Sequence, residues 1–418
     1  MTSSLRIAVV CYPALGGSGV IASELALGLA GRGHRVTLVA TALPDRLRGT
    51  AVRFERVEVP SSPVFEHAPY GEAVASRLVE LARREPIDLV HLHYAVPHAA
   101  SALLAAAVLG AAAPAMVVTL HGTDVTALGS HPSLHAVTAA ALDACDGLTT
   151  PSRYLRGQAV DEFGLPAERI EVIANFVDLE RFRPPPRRER APIDALFGAI
   201  GTGPAAPVLF HVSNFRPVKR PLDLIEALAR IRQTVPARLV LIGDGPERVA
   251  VEDRVVALGL SDAVRSLGRR RDFAGLLGHA DGFLLTSESE SFGVAALEAL
   301  ASGVPVFGYR VGGVPEVVVD GTGALVPCGD VDALAAAVIA GTTDRRAHAA
   351  MTDAARARAE ALFSMNLAVE RYEIYFRHVL AGGARGTTPT APAGPTGVLT
   401  ALPGGAIGAT SGPNRGPR

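Results

Sequence analysis

The sequence has few cysteines and no long apolar run, and both absences exclude classes of protein. Cys11, Cys145 and Cys328 lie far apart and form no CxxC pair. This spacing argues against a disulfide framework or a zinc knuckle and fits a reducing compartment. No apolar run approaches the roughly 20 residues that span a bilayer, and the N-terminus lacks the basic and apolar regions of a signal peptide. We therefore expect a cytoplasmic protein with no membrane partner.

An excess of charge of one sign is also missing. The chain carries 40 basic and 41 acidic residues, which gives a net charge of −1. A nucleic-acid-binding surface would need a basic excess, so we expect no nucleic-acid partner. Any anion must then be bound by a local site. The sequence offers no clear metal-binding carboxylate pair either, and we expect neither a metal nor a cofactor.

What the sequence does contain is a repeated alternation of short apolar runs and helical patterns. With 418 residues, 49% of them hydrophobic, the chain is long enough for two domains. The predicted strands of the first half are Ile7–Cys11, Arg35–Ala40, Ile87–Tyr94, Met116–Leu120, Gly147–Thr150 and Ile170–Ile173. Those of the second half are Val208–Val212, Leu239–Ile242, Val264–Leu267, Gly282–Thr286 and Val304–Tyr309. This order predicts an α/β fold with two doubly wound, Rossmann-like domains.

Changes in composition predict the domain boundaries. The stretch RFRPPPRRER and the Pro- and Gly-rich residues after it indicate a linker over residues 179–206, between domains at 1–178 and 207–363. Residues 381–418 are mostly Gly, Pro, Thr and Ala, which predicts a disordered tail. Ligands of such sheets bind beyond the carboxyl ends of the strands. Two facing sheets therefore predict one site in the cleft between them.

A glycine turn, Gly16-Gly17-Ser18-Gly19, follows the first predicted strand. Glycines let the backbone approach a ligand closely, and the following helix N-terminus favours an anion. The turn is not GxGxxG and no acidic residue ends the next strand, which argues against an NAD-dependent oxidoreductase. A tight turn without a ligand remains the alternative.

A basic loop, Asn214 to Arg220, follows the first strand of the second half. Arg216, Lys219 and Arg220 place three cations within five residues at a strand's carboxyl end. This arrangement suits a diphosphate better than a neutral ligand. A solvated basic loop is the alternative.

The segment SESESFGVAALEALASG carries two glutamates, Glu290 and Glu298. Ser291 suits the N-cap of a predicted helix that ends near Ser302, with Gly303 as its C′ residue. Backbone N–H groups near the helix start can bind phosphate, and a carboxylate at Glu298 can accept from two ribose hydroxyls. An acidic helix start alone explains Glu290 but not a glutamate inside an apolar helix.

Two strand ends carry histidines. His121, in TLHGTD, can reach into the cleft as a hydrogen-bond donor, although a structural histidine is the alternative. His91 and His93 share one strand face and form at most half of a metal site, so a structural role is favoured. Gly312 to Glu316 is interpreted as a plain turn rather than a second glycine turn that faces the donor.

Together the motifs resemble those of the retaining GT-B glycosyltransferases with a Glu-x7-Glu signature, here Glu290 to Glu298. The segments CYPALGGSGV, HLHYAVPHA, TLHGTDVTALGS and HVSNFRPVKR are similar to the N-acetyl-α-D-glucosaminyl L-malate synthase family. The resemblance covers about residues 5 to 380. It implies a GT-B enzyme that transfers N-acetylglucosamine from UDP-N-acetylglucosamine to L-malate with retention of configuration, the first step of bacillithiol biosynthesis.

The resemblance also implies roles for particular residues. The catalytic positions are His121, Arg216, Lys219 and Glu290. The donor-binding positions are Gly16, Gly17, Ser291, Phe292, Gly293, Val294 and Glu298. The acceptor-binding positions are Ser18, Tyr94, Thr119 and Arg153. A C-terminal helix, residues 364–380, is expected to pack on the first domain.

Three other functions remain open at this point. A GT-B enzyme with another acceptor, such as inositol phosphate or a glycan, would share all of these motifs. An isomerase like UDP-N-acetylglucosamine 2-epimerase would release a new sugar without an acceptor. A non-catalytic nucleotide-sugar-binding protein would not need all four proposed catalytic side chains. A homo-oligomer is compatible with the sequence.

Overall fold

The computed structural model describes residues 3–12, 17–61, 67–186, 191–197, 206–270 and 272–383. Gly16 of the predicted glycine turn lies outside the described residues, as does the predicted disordered tail from residue 384 onward. The described residues form two parallel sheets, each with helices packed on it. We call each sheet with its helices a lobe.

The first lobe contains a seven-stranded parallel sheet in the order β3-β2-β1-β4-β5-β6-β7. Its strands β1 to β7 are Arg6–Val10, Arg35–Ala40, Arg53–Arg56, Leu89–His93, Ala115–Thr119, Gly147–Thr150 and Ile170–Val172. Its helices α1 to α6 are Gly17–Gly31, Tyr70–Arg84, Ala100–Leu109, Thr123–Thr126, Pro132–Ala144 and Arg153–Phe163. The inner strands are buried apolar runs, because helices cover both faces of the sheet.

The second lobe contains a six-stranded parallel sheet in the order β10-β9-β8-β11-β12-β13. Its strands β8 to β13 are Val208–Ser213, Arg238–Gly243, Val264–Ser266, Gly282–Leu285, Val306–Tyr309 and Gly323–Val326. Its helices α7 to α13 are Ala191–Phe197, Pro221–Ile231, Arg248–Ala257, Ala274–Leu277, Val294–Ala301, Val314–Val317 and Val331–Thr343. Two such sheets confirm the predicted α/β fold class.

Two long helices complete the chain. Helix α14, Arg345–Leu362, packs against α11 in the second lobe, whereas α15, Met365–Leu380, packs against α1 in the first. The Tyr375 hydroxyl donates to the carbonyl oxygen of Leu148 at 3.1 Å and accepts from its amide at 2.9 Å. Tyr372 and Phe376 lie in the same core as β1 and α1. The last helix therefore belongs to the hydrophobic core of the first lobe.

Helix α7 lies within residues 179–206, which the sequence predicts as a linker. Ile193 and Phe197 are buried in the core of the second lobe together with Phe210 and Phe283. Residues 187–190 and 198–205 on either side of it lie outside the described residues. The linker prediction therefore overlaps part of the second lobe's core.

One apolar stretch is longer than the sequence analysis predicted. Among the described residues, Ala95–Ala112 alone has the length and composition to cross a membrane. It begins with an irregular turn, Ala95–Ala99, in which Val96 is not helical, and continues as α3. Helix α3 packs against α2 and α5, and about a third of the stretch Ala95–Ala112 is buried in the fold.

Candidate active site

Most of the predicted site residues follow strands that end at the facing edges of the two sheets. In the first lobe, Tyr94 follows β4 and His121 comes two residues after β5. In the second lobe, the basic loop follows β8, and Glu290 lies between β11 and α11. Because parallel strands present their carboxyl ends at one edge, this placement puts residues that are far apart in sequence beside one cleft.

The lobes contact each other at Ser291. Its hydroxyl donates to the carbonyl oxygen of His121 at 2.6 Å, and its own carbonyl oxygen accepts from the Ser152 hydroxyl at 2.6 Å. Gly122 permits this approach, since a Cβ there would lie 2.9 Å from the Ser291 side chain. The predicted N-cap role of Ser291 is wrong: Gly293, with φ of 96°, holds that position before α11. The serine hydroxyl connects the lobes and does not cap the helix.

A second contact between the lobes involves Glu316, from the segment that the sequence analysis treated as a plain turn. Its carboxylate accepts hydrogen bonds from the backbone amides of Arg153 and Tyr154, at 3.0 Å and 2.9 Å. These amides open α6, so a carboxylate of the second lobe caps a helix of the first. The Arg153 side chain is exposed. Its predicted contact with an acceptor carboxylate stays a prediction.

The basic loop and Glu290 form an ion pair in the second lobe. The Lys219 ammonium lies 2.6 Å from a Glu290 carboxylate oxygen, which also accepts from the Ser287 hydroxyl at 2.8 Å. Both charged side chains are partly buried. Lys219 is the single lysine of the sequence among 40 basic residues. A single lysine among so many arginines is a signal in the sequence that points to this position.

The other two cations of the basic loop have different surroundings. Arg220 is paired with Asp223 at 2.8 Å. Arg216 is exposed, and it lies close enough to Tyr94 for its charge to oppose the rise in the pKa of Tyr94 that burial causes. Arg216 and Lys219 are therefore the cations of this loop that face the cleft, whereas Arg220 stabilises the loop itself.

Helix α11 carries Glu298 in its second turn. Burial raises the pKa of Glu298 to about 7, although the positive charges of Arg181 and Arg46 oppose this shift. Arg46 belongs to the first lobe, so both lobes influence this carboxyl group. Phe292, predicted as a donor-binding residue, packs its ring in the core against Phe363. Phe292 can therefore offer a ligand its backbone but not its side chain.

The first lobe contributes a row of histidines that are neutral. His91 and His121 have pKa values lowered to about 3, mainly because burial disfavours the charged ring, and the pKa of His93 is lowered for the same reason. His93 Nδ1 lies 2.9 Å from His121 Nε2. His91 Nε2 lies 2.7 Å from the Thr119 hydroxyl. These rings can donate or accept hydrogen bonds but carry no charge at neutral pH.

Thr119 is fully buried. Its hydroxyl oxygen is within hydrogen-bond distance of Thr149, at 2.6 Å, and of Tyr372, at 3.3 Å, as well as of His91. This burial does not support the prediction that the Thr119 hydroxyl binds the acceptor. Among the described residues, no three His, Cys, Asp or Glu side chains are grouped so as to hold a metal ion.

Tyr94 lies at the centre of the first lobe's side of the cleft. Its φ of 86° is a rare conformation for a residue other than glycine and is found where function or surroundings require it. Its hydroxyl bonds with Ser18 and Thr123, and its ring lies 5.2 Å from that of His121. The structure thus brings together Ser18, Tyr94 and His121, while Gly17 lies at the start of α1 beside Ser18.

Asp124 holds this region in place. Its fully buried carboxylate accepts from the amides of Ala95, His121 and Gly122 at 2.8 to 3.0 Å. Buried carboxylates need such partners, and three amides supply them here. No local sequence pattern indicates this role of Asp124.

An open groove of about 580 Å³ adjoins this side of the site. Its aromatic part consists of Tyr12 and Tyr70, whose rings stack at 5.4 Å. The Tyr70 hydroxyl lies 2.9 Å from His98 Nε2, and Tyr12 also meets Tyr94 edge to face. Neither tyrosine can be identified as a site residue from the sequence, because no local pattern connects them to Tyr94.

The arrangement defines a class of protein. Two facing Rossmann-like lobes, with cations and a helix N-terminus on one side and neutral hydrogen-bond donors on the other, are the framework of a GT-B glycosyltransferase. The family model "Glycosyltransferase Family 4" matches residues 15–181, and "Glycosyl transferases group 1" matches residues 194–358. The two matches correspond to the two lobes.

The chain belongs to the glycosyltransferase family that includes the N-acetyl-alpha-D-glucosaminyl L-malate synthase of Bacillus anthracis. The two proteins are 38% identical over 385 residues, which cover 91% of this chain and 99% of that protein. A Corynebacterium glutamicum GDP-mannose-dependent monoacylated alpha-(1-6)-phosphatidylinositol monomannoside mannosyltransferase is 30% identical over 77% of this chain and 82% of its own length. These matches confirm the predicted enzyme class, a hexosyltransferase.

Solved structures show the same fold. A glycosyltransferase from Rickettsia africae superposes with a TM-score of 0.75 and 17% identity, over 91% of this chain and 99% of that one. Anabaena HepE, in complex with UDP and glucose, superposes with a TM-score of 0.74 and 21% identity, over 89% of this chain and 99% of that one.

Proposed function

We propose that this chain transfers N-acetylglucosamine from UDP-N-acetylglucosamine to the hydroxyl of L-malate, retaining the α-configuration and using no metal ion or other cofactor. The observation that carries the proposal is the 38% identity with the Bacillus anthracis L-malate synthase, which extends over 99% of that protein. The match includes both sides of the cleft and therefore the parts that face donor and acceptor.

The second lobe supplies the charge that the donor requires. Glycosyl transfer breaks the bond between the anomeric carbon and the β-phosphate, so negative charge develops on the departing phosphate. In this proposal Arg216, Lys219 and the N-terminus of α11 stabilise that charge; the partly exposed ammonium of Lys219 and the amides at the start of α11, which no described side chain caps, support this role. Glu298 accepts from the ribose hydroxyls. These positive groups do the work that a metal ion performs in other transferases.

The first lobe holds the reacting ends. His121 bonds a hydroxyl of the donor sugar, and Ser18, Tyr94 and Arg153 bind the acceptor, whose two carboxylates need several donors. The malate hydroxyl oxygen bonds to the anomeric carbon on the face from which the phosphate leaves. Its proton passes to the departing phosphate oxygen, so the products are UDP and N-acetylglucosaminyl malate. This route requires no protein nucleophile.

Product analysis tests the substrates directly. Purified protein is incubated with UDP-N-acetylglucosamine and L-malate, and the products are identified by mass spectrometry and the anomeric configuration by proton NMR. We expect α-linked N-acetylglucosaminyl malate and UDP in equal amounts, with activity unaffected by EDTA. Product with inositol phosphate but none with malate would contradict the acceptor, and a new free sugar without acceptor would indicate an isomerase.

The single lysine permits a second test that does not depend on the acceptor. An amine-specific reagent can modify only Lys219 and the terminal amine. We expect UDP to slow the modification of Lys219 but not that of the terminal amine, because the bound diphosphate contacts the Lys219 ammonium and shields it from the reagent. Equal labelling with and without saturating UDP would remove Lys219 from the donor site.

A further inference from the structure

His93 is a fully buried histidine that makes one ring contact within hydrogen-bond distance. It ends β4, and its Nδ1 lies 2.9 Å from Nε2 of His121. Its Nε2 is buried and has no hydrogen-bond partner among the residues that the structure describes. A buried polar atom without a partner in a site needs an explanation.

The position of the proton on His93 supplies the explanation. A neutral imidazole carries one N–H and one lone pair. Burial lowers the pKa values of His93 and His121, so both rings are neutral at working pH. A proton on Nε2 of His93 would leave a buried N–H unsatisfied, which is rarer and more costly than an unused lone pair. The proton therefore resides on Nδ1, where His121 accepts it.

The tautomer of His121 follows from that of His93. If His121 Nε2 accepts a hydrogen bond, it carries no proton, and the proton of this neutral ring must be on Nδ1. Among the described residues no partner contacts that Nδ1, and the His121 ring is partly exposed at the cleft. The Asp124 carboxylate accepts a hydrogen bond from the backbone amide of His121 at 2.9 Å, which fixes the position of the backbone that carries the ring.

We propose that His93 is a positioning residue that donates its Nδ1–H to Nε2 of His121 and thereby makes His121 an Nδ1–H donor to the transferred sugar. The inference rests on the proposed function, which assigns His121 to the sugar. With His121 as donor, the sugar hydroxyl accepts and keeps its own proton free to point toward the anionic diphosphate. The other tautomer would present a lone pair and reverse that bond.

His91 provides a contrast on the same strand. Its Nε2 contacts the Thr119 hydroxyl at 2.7 Å, and its Nδ1 is buried without a partner among the described residues. The same argument, that a buried N–H needs an acceptor, gives His91 the opposite tautomer, with its proton on Nε2. The Thr119 hydroxyl in turn contacts Thr149 and Tyr372 in the core of the lobe, so the hydrogen bonds of His91 do not extend to the cleft.

Ring NMR tests the tautomers without any assay. Histidine labelled with ¹⁵N in the ring reports which nitrogen carries the proton, and the signals of His121 and His93 are assigned by their loss in His121→Gln and His93→Asn. We expect His121 and His93 with protons on Nδ1 at pH 7.5. A wild-type His121 with its proton on Nε2 would overturn the inference whatever the enzyme does.

Two matched substitutions connect the tautomer to turnover. The amide of asparagine lies near the position of histidine Nδ1, and that of glutamine near the position of Nε2. We expect His93→Asn to keep kcat within about threefold of the wild-type value. His93→Gln should lower kcat roughly tenfold, which corresponds to the loss of one good hydrogen bond. The KM for malate should be unchanged in both variants. In His93→Gln the His121 spectrum should show loss of the pure Nδ1–H form. Melting curves confirm that both variants fold, and His93→Leu repeats the test with an apolar side chain.

The outcomes separate the inference from the proposed function. An unchanged His121 tautomer in His93→Gln and His93→Leu would overturn the inference. The predicted tautomers in a protein that does not use UDP-N-acetylglucosamine and malate would overturn the proposed function and leave the His93 to His121 bond established. Equal kcat values for the asparagine and glutamine variants, with different His121 tautomers, would overturn the role of the tautomer in turnover.

Discussion

The two lobes face the same cleft with opposite kinds of side chain. On the second lobe, Lys219 and Glu290 form a partly exposed ion pair, beside Arg216. On the first lobe, His93 and His121 are neutral rings, because burial lowers their pKa values. The groups that carry charge remain near water, whereas the neutral His93 is fully buried and the neutral His121 is partly buried at the cleft.

This difference indicates that the two lobes contribute to the reaction in different ways. Charged groups near a diphosphate stabilise a developing negative charge, and their removal should mainly affect turnover. Buried groups that hydrogen-bond one another or the backbone hold a geometry, and their removal should mainly affect stability and the orientation of the sugar. The predictions below test that division, beginning with the largest effect.

Lys219→Ala should lower kcat about 100- to 1,000-fold, the size seen when one preorganised donor to a developing charge is removed. The loss should exceed the weakening of UDP binding measured by calorimetry, because the ammonium acts on the departing phosphate. Lys219→Arg should recover part of the rate, since it keeps the charge but not the compact shape. Arg248→Ala, which removes an exposed arginine on α9, serves as the control. Near-normal turnover in Lys219→Ala would remove the second lobe's charge from the mechanism.

Asp124→Ala should destabilise the first lobe by about 3 kcal/mol, because three backbone amides lose a buried acceptor. Urea unfolding at pH 7.5 measures the change, and Asp124→Asn should lose less because it keeps one acceptor. Asp143→Ala, at an exposed carboxylate paired with Arg169, should have little effect. A folded Asp124→Ala protein with unchanged stability but low kcat would contradict the assignment of geometry to this lobe.

Glu298 should make UDP binding depend on pH near 7, since burial raises its pKa to about that value. Ribose hydroxyls donate to the ionised carboxylate, so affinity should fall as pH drops from 8 to 6, by up to about tenfold per unit below the pKa. Calorimetry on wild type and Glu298→Gln, at equal ionic strength, isolates this effect from the titration of UDP itself. Identical pH profiles in the two proteins would show that Glu298 does not titrate with binding.

The same carboxyl group affects stability with a definite sign. Its pKa is higher folded than unfolded, so the folded protein holds the extra proton between about pH 4.5 and 7. Stability from this group therefore declines as pH rises through that window and stays low above it. Glu298→Gln should flatten this part of the stability profile.

Glu316→Ala should give the smallest effect, a loss of about 1 kcal/mol, typical of a removed helix cap. Because the cap crosses from one lobe to the other, small-angle scattering should also report a wider average cleft in the variant without substrates. Glu316→Gln should retain part of both properties. Glu180→Ala, at an exposed glutamate, is the control. A variant with unchanged melting and scattering would show that the capped amides are satisfied by water.

The inner strands of both sheets could be predicted because most of them are short, mainly apolar runs. Arg35–Ala40 and Gly147–Thr150 have the predicted bounds. The prediction missed Arg53–Arg56 and Gly323–Val326, and both are edge strands. An edge strand is covered less completely, so its sequence need not be apolar throughout and resembles a loop.

Site residues could be predicted where one strand end carries them, and they were missed where a contact joins distant segments. His121 and Lys219 lie two and six residues after the ends of β5 and β8. The bonds from Glu316 to α6 and from His93 to His121 leave no local pattern, because each partner alone is an ordinary residue. Ser291 was assigned to a helix cap for the same reason, since its true partner, the His121 carbonyl, belongs to the other lobe.

The route of α15 has a consequence for how the protein is made. The strands β1 to β7 are synthesised long before Tyr372, Tyr375 and Phe376, which complete the core around β1. Of these three residues, Tyr375 also bonds the backbone of Leu148. Until α15 has been synthesised, that face of the first sheet lacks its cover. The second lobe, synthesised later, has its own core without these residues. The half of the enzyme that is translated first can therefore complete its core only after the residues of the second lobe have been made.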